Sequence, residues 1–378
     1  MKTLKICVPL GYKMLEKGFE INFLTKTRVD KDGVNSDLIE LENNFYYPIE
    51  TVFIGKNSSG KTTTLSLINL SLLFLKTGRI YNDFLPEGRS FELNIIYYEK
   101  DYIYSYEGKF KKEIAINNEY LIIENEILKK SKLKQSYKKD LSNVFYQKDP
   151  DFEPNVGGDT SSVLKARKEN ELIFSMDFLS YYTAFFDLYH TVLGDNAFNC
   201  LVRLFDDSIV SIKPHIEDNK TNGYYFERVD FTEPMLVTGS YLESILSAGT
   251  LRGINLYGSS IISFKMGGTI LVDEIEKSFN RNLIENLFIM FNDSSINKKG
   301  ANIVYSTYYS ELLDNNSRCD NVNVLHRFGN TISVKNMKLD YDVRTDILKS
   351  GQFNQNVFDT LINYDHLMEL KEAIRGNN

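Results

Sequence analysis

The 378-residue chain is poor in the residues that build stapled scaffolds. Its three cysteines, Cys7, Cys200 and Cys319, lie far apart with no CxxC pair. This excludes a disulfide framework or a zinc ribbon and suits a reducing, cytoplasmic setting. Its four histidines, His190, His215, His326 and His366, fall in no metal-ligand spacing. A histidine-based metal site is therefore not expected. There are seven prolines, and no stretch is rich enough in proline or serine to read as a linker. Long apolar runs are missing as well. The longest, residues 65–75, is broken by Ser66, Asn69 and Ser71 and is too short to cross a bilayer. The N-terminal stretch turns polar directly after a short apolar run, so neither a signal peptide nor a membrane span is read there. An excess of positive charge is also lacking. The formal net charge of −7 argues against a surface wholly devoted to nucleic acid, though not against a local patch.

What remains is ordinary globular material, 42% hydrophobic and 25% charged, enough for one large domain or two smaller ones. Extended pieces are read at residues 4–8, 20–24 and 50–54. Residues 65–77 place Leu65, Ile68, Leu72 and Leu75 at a helical period, with Gly78 as a stop. Runs rich in tyrosine, isoleucine and phenylalanine at 90–98, 101–106 and 119–123 read as strands. From 126 to about 146 the chain is rich in lysine and helical in pattern, and an aromatic helix is expected over about 171–205. Within that helix, residues 179–189 read as a core face rather than a partner groove.

Residues 55–63 read GKNSSGKTT. They fit the G-x-x-x-x-G-K-[ST] phosphate loop at Gly55, Gly60, Lys61 and Thr62. The spacing follows from chemistry. The two glycines allow a tight turn and close approach to phosphate oxygens, so backbone N–H groups of Lys56, Asn57, Ser58, Ser59 and Thr63 can cradle an anion at a helix start. Lys61 supplies a point charge to the β- and γ-phosphates of ATP, and the Thr62 hydroxyl ligates Mg²⁺. A random match in a chain of ordinary composition has a probability on the order of 1%. The strand-like TVFI before the loop and the helix-period run after it supply the context the motif requires.

Residues 267–274 read GGTILVDE, a buried-strand run ending in two acids. Asp273, at the carboxyl end of a parallel strand, can hold Mg²⁺ through water. Glu274 is then placed to polarise an attacking water as general base. A helix with Leu283, Ile284, Leu287, Phe288 and Phe291 on one face follows, then a strand-like run at 301–305. This is the order of a parallel sheet with ligands at strand carboxyl ends. Upstream, LSAGT at 246–250 precedes a helix-period run whose start can present N–H groups to an anion.

In this order, GKNSSGKTT, LSAGT, ILVDEIE and IVYSTYYSELLD resemble the ABC-type ATPases of the SMC/RecF/OLD kind. The chain looks most like the short AAA-type ATP-binding proteins of bacterial abortive-infection and antiphage systems, the AbiL-like group. The resemblance implies an α/β P-loop NTPase of ABC type with an antiparallel β-subdomain and a helical insertion. Residues 1–125 would be the first part of the nucleotide-binding domain, 126–239 the insertion, 240–342 the second part and 343–378 a helical tail. It further implies that Lys61, Thr62, Asp273 and Glu274 serve the protomer's own nucleotide, while Ser247 and Gly249 contact the γ-phosphate held by a twin. Two ATPs would then be sandwiched in a homodimer. The family's switch histidine is here Tyr308, after Ser306 and Thr307. Its hydroxyl can donate to phosphate but does not titrate near neutrality, so slow hydrolysis is expected.

The implied role is a sensor or scaffold for a separate effector, a nuclease or toxin from an adjacent gene, in phage defence. The alternatives are a RecF-like DNA-maintenance ATPase and an ATP-stapled structural protein. The DNA reading rests on Lys109, Lys111, Lys112 and six lysines within residues 129–139, a stretch without arginine that reads first as a solvated exterior. Asp340, Tyr341 and Asp342 mimic a metal-dependent nuclease spacing but read as a chance surface match. No membrane contact is expected.

Overall fold

The computed structural model describes all residues except 30–36, 82–89, 113–119, 135–140, 146–147, 168–172, 176–181, 219, 278–279, 316–317, 345–346, 361–363 and 377–378. The centre is a sheet whose middle strands are buried throughout and mostly apolar. β5 (Glu50–Ile54), β13 (Thr269–Val272) and β14 (Asn302–Ser306) are buried at every position. Such runs belong to parallel strands covered on both faces. With β9 (Ile173–Ser175), β15 (Val322–Phe328) and β16 (Thr331–Asn336) they form a six-stranded sheet ordered β16-β15-β5-β14-β13-β9. Only β16 runs antiparallel to its neighbour.

Alternation along these strands divides the protein into two cores. Phe53, Leu271, Val304 and Leu325 face one way, towards helix α1 (Lys61–Thr77) and a second, antiparallel sheet. That sheet has five strands ordered β2-β1-β6-β7-β8: β1 (Lys2–Val8), β2 (Phe19–Asn22), β6 (Phe91–Glu99), β7 (Tyr102–Lys111) and β8 (Ile122–Lys132). α1 is apolar nearly all round because both its sides are covered. Phe74 near its end meets Tyr106 and Phe110 of β7 at ring distances of 4.8 and 5.6 Å. It stops at Gly78, in the left-handed conformation, whose N–H closes on the Phe74 carbonyl at 2.7 Å.

Val52, Ile54, Ile270, Val272, Ile303 and Tyr305 face the other core. Helices cover it. Among the described residues these include α3 (Phe186–Leu193), α4 (Asp195–Phe205), α5 (Gly239–Ile245), α6 (Ala248–Met266) and α7 (Arg281–Asn292), whereas α2 (Val163–Ala166) is a short turn packed beside α1 in the first core. A three-stranded antiparallel sheet closes that side: β10 (Ile209–Glu217), β11 (Lys220–Arg228) and β12 (Met235–Val237). A small hairpin, β3 (Leu38–Glu40) with β4 (Tyr46–Pro48), and two last helices, α8 (Lys349–Asn354) and α9 (Tyr364–Gly376), complete the chain. No described helix is long and apolar enough to cross a membrane.

Three expectations need correction. The lysine-rich stretch from 126 is not helical at its start: it continues β8 to Lys132, paired with β7 from Lys111↔Ile122 to Tyr102↔Lys132. The alternating side chains explain why. Glu126 and Leu128 point inward, and the buried Glu126 carboxylate accepts from Ser161 Oγ, Asn155 N and Ser162 N at 2.5, 2.7 and 3.0 Å. Residues 135–140 lie outside the described set. Second, segment 126–239 is not purely helical. It also carries β9, which completes the parallel sheet, and β10 to β12. Of the single aromatic helix expected over 171–205, residues 173–175 form β9 instead, and the described remainder holds two helices, α3 and α4, parted at Gly194 (φ 83°). Phe186 and Tyr189 are core, as read, whereas Tyr182 is exposed.

Candidate functional site

The phosphate loop joins β5 to α1. Gly55 has φ 153° and Gly60 φ 99°, and each is pressed closely. A methyl group on Gly55 would lie 2.6 Å from the Leu325 carbonyl, and one on Gly60 would lie 2.5 Å from Ile332 Cδ1. The turn therefore needs glycine at both places. Gly60 is the cap residue of α1 and no side chain bonds to the helix start, which leaves its first N–H groups aimed out of the loop. Ser59 is buried, Asn57 and Ser58 are exposed, Thr63 is half-buried and Thr62 is exposed at the mouth.

Lys61 is only 4% exposed. Its Nζ donates to the carbonyls of Gly55 at 2.8 Å and Lys56 at 3.0 Å. Burial lowers its pKa to about 8, against the attraction of Asp273, Glu274 and Glu276. Lys56 turns outward to an ion pair with Asp359 at 2.9 Å. Beside it, Asn57, Ser59, His326 and Phe328 help line a cavity of about 370 Å³.

The acids arrive from β13. Thr62 Oγ1 donates to Asp273 Oδ2 at 2.5 Å, and Ser306 Oγ, at the end of β14, donates to Asp273 Oδ1. The Thr62 hydroxyl and the Asp273 carboxylate are hard oxygen donors side by side. This is the donor chemistry of a magnesium ion that completes its shell with phosphate and water. Glu274 follows in the left-handed conformation (φ 48°), with its N–H donated to Ser306 Oγ at 2.8 Å. This conformation is uncommon outside glycine and is held here by several contacts. Arg252 Nη2 donates to the carbonyls of Asp273 and Glu274 at 2.9 and 3.0 Å. The Ile275 N–H reaches the Ser306 carbonyl at 3.0 Å.

Three of these residues were given no role from sequence. Ser306 sits in the quoted Ser-Thr-Tyr run, but its bond to Asp273 spans two strands. Glu276 accepts from Thr307 Oγ1 at 2.8 Å and from Tyr308 N at 2.7 Å. Arg252 is buried at 4% exposure on a helix of small and apolar residues, and a lone arginine on such a face is the one signal the sequence offers.

Ser247 caps α6, its Oγ accepting from Thr250 N at 3.0 Å. Ser247 is exposed and Gly249 half-buried. Among the described residues no hydrogen bond ties either to residues 55–63, Asp273 or Glu274. The structure thus gathers Gly55, Lys61, Thr62, Asp273 and Glu274 into one mouth and leaves the α6 start outside it. Tyr308 is 37% exposed, and its ring, rather than its hydroxyl, meets the site, lying over Lys61. Burial and then Glu274, Asp273 and Glu276 push its hydroxyl above the ordinary pKa.

Of the lysines singled out over 109–139, Lys138 and Lys139 lie outside the described residues, and several of the others have local partners. Lys109 pairs with Glu124 at 3.1 Å, Lys129 Nζ reaches the Phe145 carbonyl at 3.3 Å and Lys130 lies over the Tyr102 ring at 3.8 Å. Asp342 bonds Lys338 at 2.7 Å, and Tyr341 bonds His326 at 2.5 Å.

No protein-family model matches the chain, and no curated protein matches it. Among solved structures it is similar to the SMC head domain from Thermotoga maritima, at 14% identity and TM-score 0.42, over 89% of this chain and 99% of that one. It is also similar to cbiO1 from Clostridium perfringens, part of the ABC transporter complex cbiONQ, at 13% identity and TM-score 0.35, over 98% and 100%. Scores this low carry no argument about activity, so the functional reading rests on the geometry above.

Proposed function

We propose that this chain is an ATPase of ABC type that binds magnesium and ATP at residues 55–62 and works as a two-fold dimer. The observation that carries the reading is the 2.5 Å bond between Thr62 and Asp273 at the mouth of a loop only glycine can turn. The chain's own residues divide the work. The N–H groups of the α1 start and Lys61 bind the triphosphate. Thr62 and Asp273 would hold Mg²⁺, which supplies charge neutralisation when bound. Glu274, fixed through its backbone by Arg252 and Ser306, takes a proton from water. The exposed α6 start, with Ser247 and Gly249, would face the nucleotide of a twin.

By the motif resemblance, the dimer serves as a sensor or scaffold for a separate effector in antiphage defence. The test is hydrolysis and binding of MgATP by purified protein. Lys61→Ala should abolish binding. Glu274→Gln should bind ATP, fail to turn it over and accumulate as a dimer. Unchanged ATP affinity in Lys61→Ala would sink the reading. ATP-dependent co-purification with the product of the adjacent gene tests the effector.

A further inference from the structure

The Lys61 ammonium is approached from three directions. Two are the loop carbonyls of Gly55 and Lys56. The third is the face of the Tyr308 ring, whose centroid lies 3.7 Å from Nζ. An ammonium has three N–H groups, so two carbonyls and one ring face match its donors. The ring is held in place. Glu276 grips the turn beneath it, one oxygen on Thr307 Oγ1 at 2.8 Å and the other on the Tyr308 N–H at 2.7 Å. Thr307 Oγ1 in turn accepts from Tyr309 N at 3.0 Å.

We propose that Tyr308 is an aromatic cap on Lys61, set by Glu276, that competes with the terminal phosphates of a nucleoside triphosphate for the ammonium. The idea rests on the reading of residues 55–62 as a triphosphate site, and it gives Tyr308 a role opposite to that of a phosphate donor. The ring face does the work and the hydroxyl does not. A phosphate oxygen that takes Lys61 must displace the ring or the carbonyls. Glu276 is a positioning residue that acts only through the turn it grips.

The test pairs two measurements on Tyr308→Phe, Tyr308→Leu, Glu276→Ala and Glu276→Gln. The first is the acetylation rate of Lys61 without nucleotide, read by mass spectrometry. The second is MgATP affinity by calorimetry. Tyr308→Leu should label Lys61 several-fold faster and bind ATP roughly tenfold tighter, the scale of a partly desolvated cation–π contact. Tyr308→Phe, which keeps the face, should match wild type in both. Glu276→Ala should move the same way as Tyr308→Leu. Glu276→Gln, which keeps an acceptor for the Tyr308 N–H, should stay near wild type. Unchanged labelling in Tyr308→Leu overturns the cap. So does weaker ATP binding by Tyr308→Phe, which would assign the contact to the hydroxyl. The expected labelling pattern with no ATP binding by any form would overturn the triphosphate reading and, with it, the competition.

Discussion

One nitrogen of Arg252, on α6, donates to the backbone carbonyls of both Asp273 and Glu274, at 2.9 and 3.0 Å. The helix capped by Ser247 is thereby tied to the loop that carries Asp273, the candidate magnesium ligand, and Glu274, the candidate general base. Arg252→Ala should leave ATP affinity within about threefold, since Lys61 and the glycine loop are untouched. Turnover should fall by about 100-fold, the cost of an ångström-scale misplacement of a reacting group. Steady-state kinetics with separate kcat and KM checks this; a rise in KM at unchanged kcat would show that the guanidinium has no part in placing Glu274.

Gly55→Ala places a methyl group 2.6 Å from the Leu325 backbone carbonyl and 2.4 Å from Ser59 Oγ, at φ 153°. The serine can rotate away, but the carbonyl belongs to β15 and cannot. Left-handed strain and the clash should together cost about 1–3 kcal/mol of stability and abolish ATP binding. Thermal melting and calorimetry on the one variant read both effects.

Asp320 offers a pH test far from the mouth. Its carboxylate accepts from Arg318 Nε at 2.9 Å and from the N–H groups of Lys26 and Thr27 at 3.1 Å. Burial alone would raise its pKa, but the Arg318 and Thr27 bonds outweigh burial and hold it below the ordinary value. With a folded pKa below the unfolded one, the carboxylate stabilises fully above about pH 4, the usual aspartate range, and the contribution fades as pH falls below it. Asp320→Ala should cost about 3 kcal/mol at pH 7 by stranding a buried arginine. Urea unfolding at pH 7 and pH 3 should show the gap between wild type and variant narrowing at the lower pH.

The site was largely legible where one short run holds all the chemistry. Gly55, Gly60, Lys61 and Thr62 must lie at fixed spacing because one turn presents them, and Asp273 and Glu274 must end a buried strand. Legibility failed where partners are distant in the chain. Arg252 bonds residues 21 and 22 positions away, and Ser306 bonds one 33 positions away, and no local pattern reports that. β8 was misread for another reason. Its lysines are spaced so that a helix and a strand both accommodate them, and the deciding fact is the buried Glu126 carboxylate, which meets Ser161 and Ser162 only in the folded chain. Tyr308 is read from sequence by its hydroxyl, whereas in the structure its ring face lies over Lys61. A tyrosine beside a lysine can offer its hydroxyl or its face, and only the fold selects between them.

α1 is gripped on both sides, and this determines which parts can travel. To tilt it, the Phe74 ring would have to leave Tyr106 and Phe110 at one end while Gly60 lost its fit against Ile332 at the other. If residues 55–62 hold a triphosphate, as proposed, α1 is therefore a fixed anvil, and the partly exposed Tyr308 turn, held by Glu276, is the part of the mouth with room to travel.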